Sequence, residues 1–464
     1  MLMKPYFRDG DITIYCADCK DILPLIPDRS IDLIVTDPPY GISFMGKDWD
    51  KVLPDKKIWF ECFRVLKDGA FAFVMSIPRA DCLSRMIISL EDAGFRVGFT
   101  PIFWAYASGF PKAQNIGKAV DKRLGAERKQ LVTTHQDIFG EWDKPEEGKA
   151  GLGKNRPAHN GGFKPEYNLF LSATPQAKAL DGSYGGFQPK PAVEVIIVAM
   201  KPLSEKTYVD QALKNRKGIT WLDDGRIPIE KGDEPYGGYG DEVIGLSGFD
   251  NKKGAKWRLS PTADKGRFTA NLLVSDDVLN IESGGAFAPV KSGQKSWGGK
   301  IYGKFASGGD DGKSFFGDTG SFSRYFDLDK WFEEKLKELP ASVQKTFPFL
   351  IVPKASKSEK NKGLDYEPQP IVGRDEGQDI RNVPQKARST PRINQHPTVK
   401  PLKLMSYLIT LGSREGDIVL DPFVGSGTTA LASQLLSRKS ISIEIEEKYC
   451  EIAVKRLAQG VMNL

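Results

Sequence analysis

Apolar positions along this chain fall into short, dense runs near both ends and lose any regular spacing in the middle. Near the N-terminus, residues 12–15 and 31–36 have the length and apolar content of buried strands. Between them a turn at Asp18 leads into a short helical stretch through Ile22, Leu23, Leu25 and Ile26 that Pro27 ends. Residues 55–66 put Ile58, Trp59, Cys62, Phe63 and Leu66 on one helical face, and 70–75 form the next apolar strand. A helix over 79–93 and a strand over 96–104 follow. Strand and helix alternating through short connections predicts a doubly wound sheet with right-handed crossovers.

The alternation stops near Ser108. Residues 108–190 are rich in Gly, Pro, Lys and Asn, 193–198 read as one more buried strand, and 201–392 are again Gly-rich and weakly periodic. It resumes with a helix after Pro401, a strand over 417–420, a helix to about 436, a strand over 440–445 and an amphipathic helix over 447–457. The expected fold is therefore α/β: a doubly wound, mostly parallel sheet assembled from both chain ends, with a large irregular central insertion. Its divisions are 1–107 for one half of the sheet, 108–190 an insertion, 191–200 a further strand, 201–392 a second inserted region and 393–464 the other half.

Two strand ends carry the candidate chemistry. The run 31–36 stops at Asp37-Pro38-Pro39-Tyr40, a carboxylate and two prolines at the edge where open α/β sheets bind ligands. Such a corner suits a weakly nucleophilic planar amine. Asp37 and the Pro38 carbonyl accept its two hydrogens, Pro38 and Pro39 fix the backbone that aims the carbonyl, and the Tyr40 ring offers a stacking face for a base taken out of a helix. The second end is Asp421-Pro422-Phe423-Val424-Gly425-Ser426-Gly427-Thr428-Thr429-Ala430, a Gly-x-Gly-x-x-Ala turn between strand and helix. It is followed by Glu444 at the end of the next strand, where a carboxylate can hold both hydroxyls of a ribose. No Lys follows Gly427, which disfavours a Walker phosphate loop; a dinucleotide and S-adenosylmethionine remain as the nucleoside ligands.

Composition narrows the classes further. The 464 residues are 40% hydrophobic and 27% charged, enough for a sizeable core in one or two domains. No apolar run reaches bilayer length and the first residues lack a leader pattern, so no membrane association and a cytoplasmic location are expected. A net charge of +6 permits a polyanionic partner. Five cysteines suggest no disulfide framework, Cys16 and Cys19 have no second pair, and His135, His159 and His396 are scattered, so no metal site is expected. Basic and aromatic residues are interleaved within 201–392, at Lys256-Trp257-Arg258, Lys265-Gly266-Arg267-Phe268, Lys295-Ser296-Trp297 and Arg324-Tyr325-Phe326, as a nucleic-acid groove requires.

On Asp37-Pro38-Pro39-Tyr40, on the 421–428 turn and on His396-Pro397-Thr398-Val399-Lys400-Pro401, the chain resembles the amino-methylating DNA methyltransferases of the bacterial and phage N6-adenine/N4-cytosine group. With the catalytic motif first and the cofactor motif last, the order is similar to their β arrangement. Similarity is strong over about the first hundred and last seventy residues and patchy between, for instance at Lys190-Pro191-Ala192-Val193-Glu194. The resemblance implies a seven-stranded methyltransferase sheet, S-adenosylmethionine as cofactor and double-stranded DNA as substrate; by exclusion and composition, 201–392 with part of 108–190 is the expected target-recognition region. It implies Asp37, Pro38, Pro39 and Tyr40 as catalytic residues, and Asp18, Thr398, Lys400, Asp421, Phe423, Gly425, Gly427 and Glu444 as cofactor contacts, with Thr398 and Lys400 at the methionine end. Ala17 and Ser442 stand where that family usually has glycine. The expected reaction is sequence-specific methylation of adenine N6. N4-cytosine methylation, and more distantly RNA or protein-glutamine methylation, are the alternatives; a cognate restriction enzyme and a second copy of the chain are partners that such an enzyme can have.

Overall fold

The computed structural model describes residues 4–42, 50–106, 113–128, 130–134, 166–187, 192–229, 236–237, 258–259, 266–275, 326–339 and 399–461. They fall into two compact units, one of residues 1–108 with 192–464 and one of 109–191.

The first unit is built on a nine-stranded sheet. In chain order its strands are β1 (Phe7–Asp9), β2 (Ile12–Cys16), β3 (Ile31–Thr36), β4 (Leu66–Ser76), β5 (Ile102–Tyr106), β6 (Val193–Met200), β7 (Leu272–Ser275), β8 (Ile418–Asp421) and β9 (Lys439–Glu444). In space they run β1-β2-β9-β8-β3-β4-β6-β5-β7. The seven strands from β2 to β5 are the expected methyltransferase-type sheet, and the short strands β1 and β7 extend it at either edge. β8 lies between β9 and β3, parallel to both, so strands from the two ends of the chain share one ladder. β6 is antiparallel to both β4 and β5, which brings its first residues to the edge where its neighbours end.

Side-chain alternation divides the apolar residues between the two faces. Leu33, Val35, Phe71, Phe73 and Met75 join one core cluster, while Ile34, Ala70, Ala72 and Val74 join the other. Because β3 is covered on both faces, all six of its residues are buried. Among the described residues, the sheet is flanked by α1 (Cys19–Ile22), α2 (Lys56–Val65), α3 (Ala80–Asp92), α4 (Tyr208–Asn215), α5 (Leu328–Lys337) and α6 (Leu402–Gly412). All eleven residues of α6 are buried, and Gly412 comes so close to Leu33 that a Cβ would stand 2.5 Å from Leu33 Cδ1. Two further helices complete the C-terminal half, α7 (Thr428–Leu435) and α8 (Glu447–Val461).

The described parts of 201–392 are integral to this unit. β7 pairs in parallel with β5, and α5 stacks Trp331 edge-on against Tyr407 of α6 at 4.8 Å. Lys217 is buried between Asp32 at 2.8 Å and Asp417 at 2.9 Å. The region is thus no separate body over these stretches: its short apolar runs are spent on the shared core. Lys256, Trp257, Lys265, Lys295, Ser296, Trp297, Arg324, Tyr325 and all three histidines lie outside the described residues.

In the second unit, strands Gln130–Thr134 and Glu166–Phe170 form an antiparallel pair, accompanied by helices Ile116–Arg123 and Pro175–Ala179. Asp121 is its buried anchor, accepting from the backbone N–H groups of Ala173 and Thr174, from the Thr174 hydroxyl and from Arg128. Among the described residues no helix is long and apolar enough to cross a membrane, and no cluster of side chains could hold a metal ion.

Candidate active site

β3 delivers Asp37 to the carboxyl edge of the sheet, and the turn that follows is held from below. Asp50, itself buried, accepts from the N–H groups of Tyr40 at 2.7 Å and Gly41 at 3.0 Å. Gly41 has φ +70, a left-handed conformation that favours glycine. The Tyr40 hydroxyl donates to Asp37 Oδ1 at 2.5 Å, fixing the ring beside the carboxylate.

Three further groups close the corner. Lys400 Nζ, on the segment leading into α6, lies 3.1 Å from Asp37 Oδ2, 2.7 Å from Glu194 Oε2 and 3.3 Å from the Tyr40 oxygen. Glu194 stands there because β6 is reversed: it pairs with Trp104, next to the end of β5, and the Tyr106 hydroxyl reaches its other oxygen at 3.5 Å. Burial pushes the Asp37 carboxyl up, Lys400 opposes that shift and the Glu194 charge adds to it. Burial alone would favour a neutral lysine, but the two carboxylates outweigh it and hold Lys400 protonated.

The second edge is welded to the first. Asp421, at the end of β8, accepts from the Thr36 hydroxyl at 2.6 Å, and Thr36 immediately precedes Asp37. The same oxygen, Oδ1, accepts from the Phe423 N–H at 3.0 Å, and Oδ2 accepts from Thr429 Oγ1 at 2.6 Å. Burial raises its pKa to about 6. All three partners belong to the protein, so Asp421 braces the turn from within. Gly425, at φ +55, donates its N–H to Glu444 at 2.9 Å. Gly427, at φ +84, is required by packing: a Cβ there would lie 2.7 Å from that of Ala453 on α8. The same helix sends the buried Arg456 under the turn, donating to Ser426 O at 2.6 Å and to Ser426 Oγ and Thr428 Oγ1 at 3.1 Å each. Glu444 accepts from the N–H groups of Gly425 and Glu446, yet burial dominates and raises its pKa to about 7.

The sequence-derived residues therefore separate into two adjoining groups. Asp37, Pro38, Pro39 and Tyr40 form the first. Asp421, Phe423, Gly425, Gly427 and Glu444 form the second, with Asp18 at the end of the neighbouring strand β2, where it caps α1 by accepting from the Lys20 N–H. Phe423 packs 6.3 Å from Trp59. Lys400, expected at the methionine end of a cofactor, touches Asp37, and Thr398 lies outside the described residues. No local motif marks Asp50 or Tyr106. For Glu194 the signal was its place at the start of an apolar strand, where a carboxylate has no reason to be unless that end reaches the site.

A family model described as DNA methylase matches residues 31–455, a span that contains both edges. The chain belongs to this family. Among its relatives, the orphan methyltransferase M.BamHII of Bacillus amyloliquefaciens is 49% identical over 83 residues, 18% of this chain and 31% of that protein. The type II methyltransferase M2.LlaDCHI of Lactococcus lactis subsp. cremoris is 47% identical over 66 residues, 14% and 24% of the two. The DNA adenine methyltransferase YhdJ of Escherichia coli (strain K12) is 36% identical over 98 residues, 21% and 32%. The chain thus spans about a quarter to a third of the length of these relatives. A solved PvuII DNA methyltransferase, described as cytosine-N4-specific, aligns over 98% of this chain and 88% of its own at 14% identity and a TM-score of 0.40. For a DNA methylase with S-adenosylmethionine as its cofactor, the donor set of the second edge fits. Two carboxylates, Glu444 and Asp18, end adjacent strands beside a left-handed glycine turn, where they can accept from ribose hydroxyls and an adenine amine.

Proposed function

We propose that this chain is a sequence-specific methyltransferase acting on the N6 amino group of adenine in double-stranded DNA, with S-adenosylmethionine as methyl donor. The observation that carries the reading is the 2.6 Å bond between Thr36 and Asp421, which locks the amine-accepting corner to the nucleoside-binding turn on adjacent strands. Rate in such a site comes mainly from positioning two reactants in line. When bound, S-adenosylmethionine supplies a methyl group already activated by a sulfonium, so no covalent enzyme intermediate is required.

The chain's own residues do the rest. Asp37 has both oxygens in use, one by Tyr40 and one by Lys400, but a carboxylate offers about four acceptor positions, so each oxygen keeps one for an amine hydrogen. The Pro38 carbonyl takes the second hydrogen, which draws the nitrogen lone pair out of conjugation with the ring. Tyr40, pinned through its hydroxyl, presents its ring to the flipped base. Glu444 and Asp18 hold the nucleoside end, and Phe423 lines it. Thr398, two residues before Lys400 in the sequence, is assigned to the methionine end of the cofactor. The proton of the methylated amine leaves after transfer.

We assign target recognition to the parts of 201–392 outside the sheet, on the strength of their length and interleaved basic and aromatic residues, together with part of 108–190. Such an enzyme works where the DNA is, in the cytoplasm. Asp at position 37 favours adenine over cytosine, since relatives with Asp there more often act on adenine. The test is modification-detecting sequencing of DNA from a methylation-deficient host expressing the chain. N6-methyladenine in one sequence context is expected. N4-methylcytosine would move the target base, and unmodified DNA with purified active-site-intact protein would overturn the assignment.

A further inference from the structure

The Asp37 corner holds a charge arrangement that amine acceptance alone does not call for. One ammonium, Lys400, is buried between two carboxylates, closer to Glu194 (2.7 Å) than to Asp37 (3.1 Å). The titratable and charged groups facing this cluster are Tyr40 on the turn after β3, Tyr106 at the end of β5, Glu194 on β6, Lys400 before α6 and Asp421 on β8. With Lys400 protonated and both tyrosines neutral, Asp37, Glu194 and Lys400 together carry one negative charge. An ammonium shared between two carboxylates cannot give its full attraction to either.

We propose that Glu194 is a positioning residue that acts through Lys400: by taking the shorter ion pair it holds the ammonium off Asp37 and leaves the Asp37 oxygens open to the target amine. The inference rests on the reading of Asp37 as amine acceptor. Its physical basis is competition. Without the Glu194 charge, Lys400 turns wholly to Asp37, and a fully paired carboxylate is a weaker acceptor for a neutral N–H donor. The reversed direction of β6 explains how a residue 157 positions from Asp37 comes to do this, since no parallel strand would start at that edge.

The test uses the full-length chain, its mapped duplex substrate and four proteins: wild type, Glu194→Gln, Lys400→Met and the double variant. Single-turnover methyl transfer is followed from pH 5 to 9 and S-adenosylmethionine binding by calorimetry. Glu194→Gln is expected to slow transfer about tenfold or more at saturating DNA while leaving cofactor affinity within about twofold. The acid limb of its pH–rate profile should move to lower pH, because Asp37 loses a repelling charge and gains the whole of Lys400. In the Lys400→Met background the same change should be neutral or should raise the rate, since only repulsion between two carboxylates is left to relieve. Equal losses in both backgrounds, or a slower rate with an unmoved acid limb, would mean a merely structural Glu194 and would overturn the inference alone. A wild-type chain inactive on DNA would overturn the functional reading and this inference with it.

Discussion

Glu444 gives the sharpest test of the nucleoside edge because its protonation falls within the working pH range. Burial raises its pKa to about 7, against the lowering effect of two backbone N–H groups. A neutral carboxyl offers one carbonyl-type acceptor and spends its hydroxyl as a donor, whereas the anion accepts from both hydroxyls of a ribose. If the anion is the binding form, about a tenth of the apo protein is competent at pH 6 and about nine-tenths at pH 8. Affinity for S-adenosylmethionine should therefore rise about tenfold across that interval, which is about 1.4 kcal/mol. The raised pKa also fixes the sign for the apo fold: Glu444 contributes stability that is present below its ordinary 4.5 and lost as pH rises through about 7, and bound ligand reverses this. Calorimetric titrations at pH 6, 7 and 8 check the binding trend. Glu444→Gln serves as control, because the ligand's own amino group titrates in both proteins and only the difference belongs to Glu444. The variant should bind about tenfold to a hundredfold more weakly at pH 8 and lose the extra pH dependence. A wild type and variant with the same pH slope would refute the assignment of Glu444 to the ribose.

Three further outcomes follow from the geometry. Asp37→Ala should reduce methyl transfer by about a hundredfold or more while cofactor binding by calorimetry stays near wild type, and equal loss of cofactor affinity in Asp37→Ala and Glu444→Ala would remove the division between the two edges. Gly427→Ala should cost about 2 kcal/mol in urea unfolding, from a left-handed φ and the 2.7 Å approach to Ala453; adding Ala453→Gly should return only the steric part, and full recovery would show that φ is unimportant. Lys217→Met should cost about 3 kcal/mol at pH 7, because Asp417 is left as a buried anion without its cation and Asp32 keeps only the partly exposed Lys67. Asp32 is held below its ordinary pKa, so its contribution is present above about 4 and is lost as pH falls; a deficit that did not shrink in acid would refute the account.

The readable parts of the fold were those in which burial on both faces left a continuous apolar run. β3, β6 and β8 lie where 31–36, 193–198 and 417–420 placed them, to within a residue or two. β5 does not: the run from Arg96 suggested a strand over 96–104, but Arg96 makes only an isolated bridge to Met200 and pairing begins at Ile102, after Pro101. β7 and α5 do not stand out within a Gly-rich region. β7 is four residues long, too short to show a period, although Asp327 caps α5 and Leu328, Trp331 and Phe332 share its buried face. Both edges of the site could be read because each motif is local, a carboxylate and special backbone residues at a strand end. Asp50 and Tyr106 could not: Asp50 turns back onto the corner from 10 residues beyond Tyr40 with no motif to mark it, and Tyr106 reaches Glu194 only through the order of the strands, while Glu194 stands out only as a carboxylate at the start of an apolar strand.

The same geometry explains how long insertions are compatible with a fixed corner. The chain leaves the sheet after Tyr106 and rejoins it at Ala192, whose carbonyl accepts from the Tyr106 N–H at 2.9 Å. Two residues later it supplies Glu194. After the second region the described chain resumes at Val399, on the approach to α6, and the next residue is Lys400. Each return is therefore anchored within a residue or two of a group that touches the corner, and Lys400 and Glu194 are tied to each other at 2.7 Å. Closing a longer flexible loop between fixed ends costs only about 0.6 kcal/mol for each doubling of length. Sequence outside the stretches 201–229, 266–275 and 326–339, which join the core, can thus change in length at little cost to the sheet, provided these two returns are kept. A site that must recognise different sequences with one chemistry is well served by placing its variable segments between such anchors. On this argument the ion pair between Lys400 and Glu194 is both the electrostatic control of Asp37 and the clasp that registers the two returns, so its loss should loosen the corner before it loosens the fold.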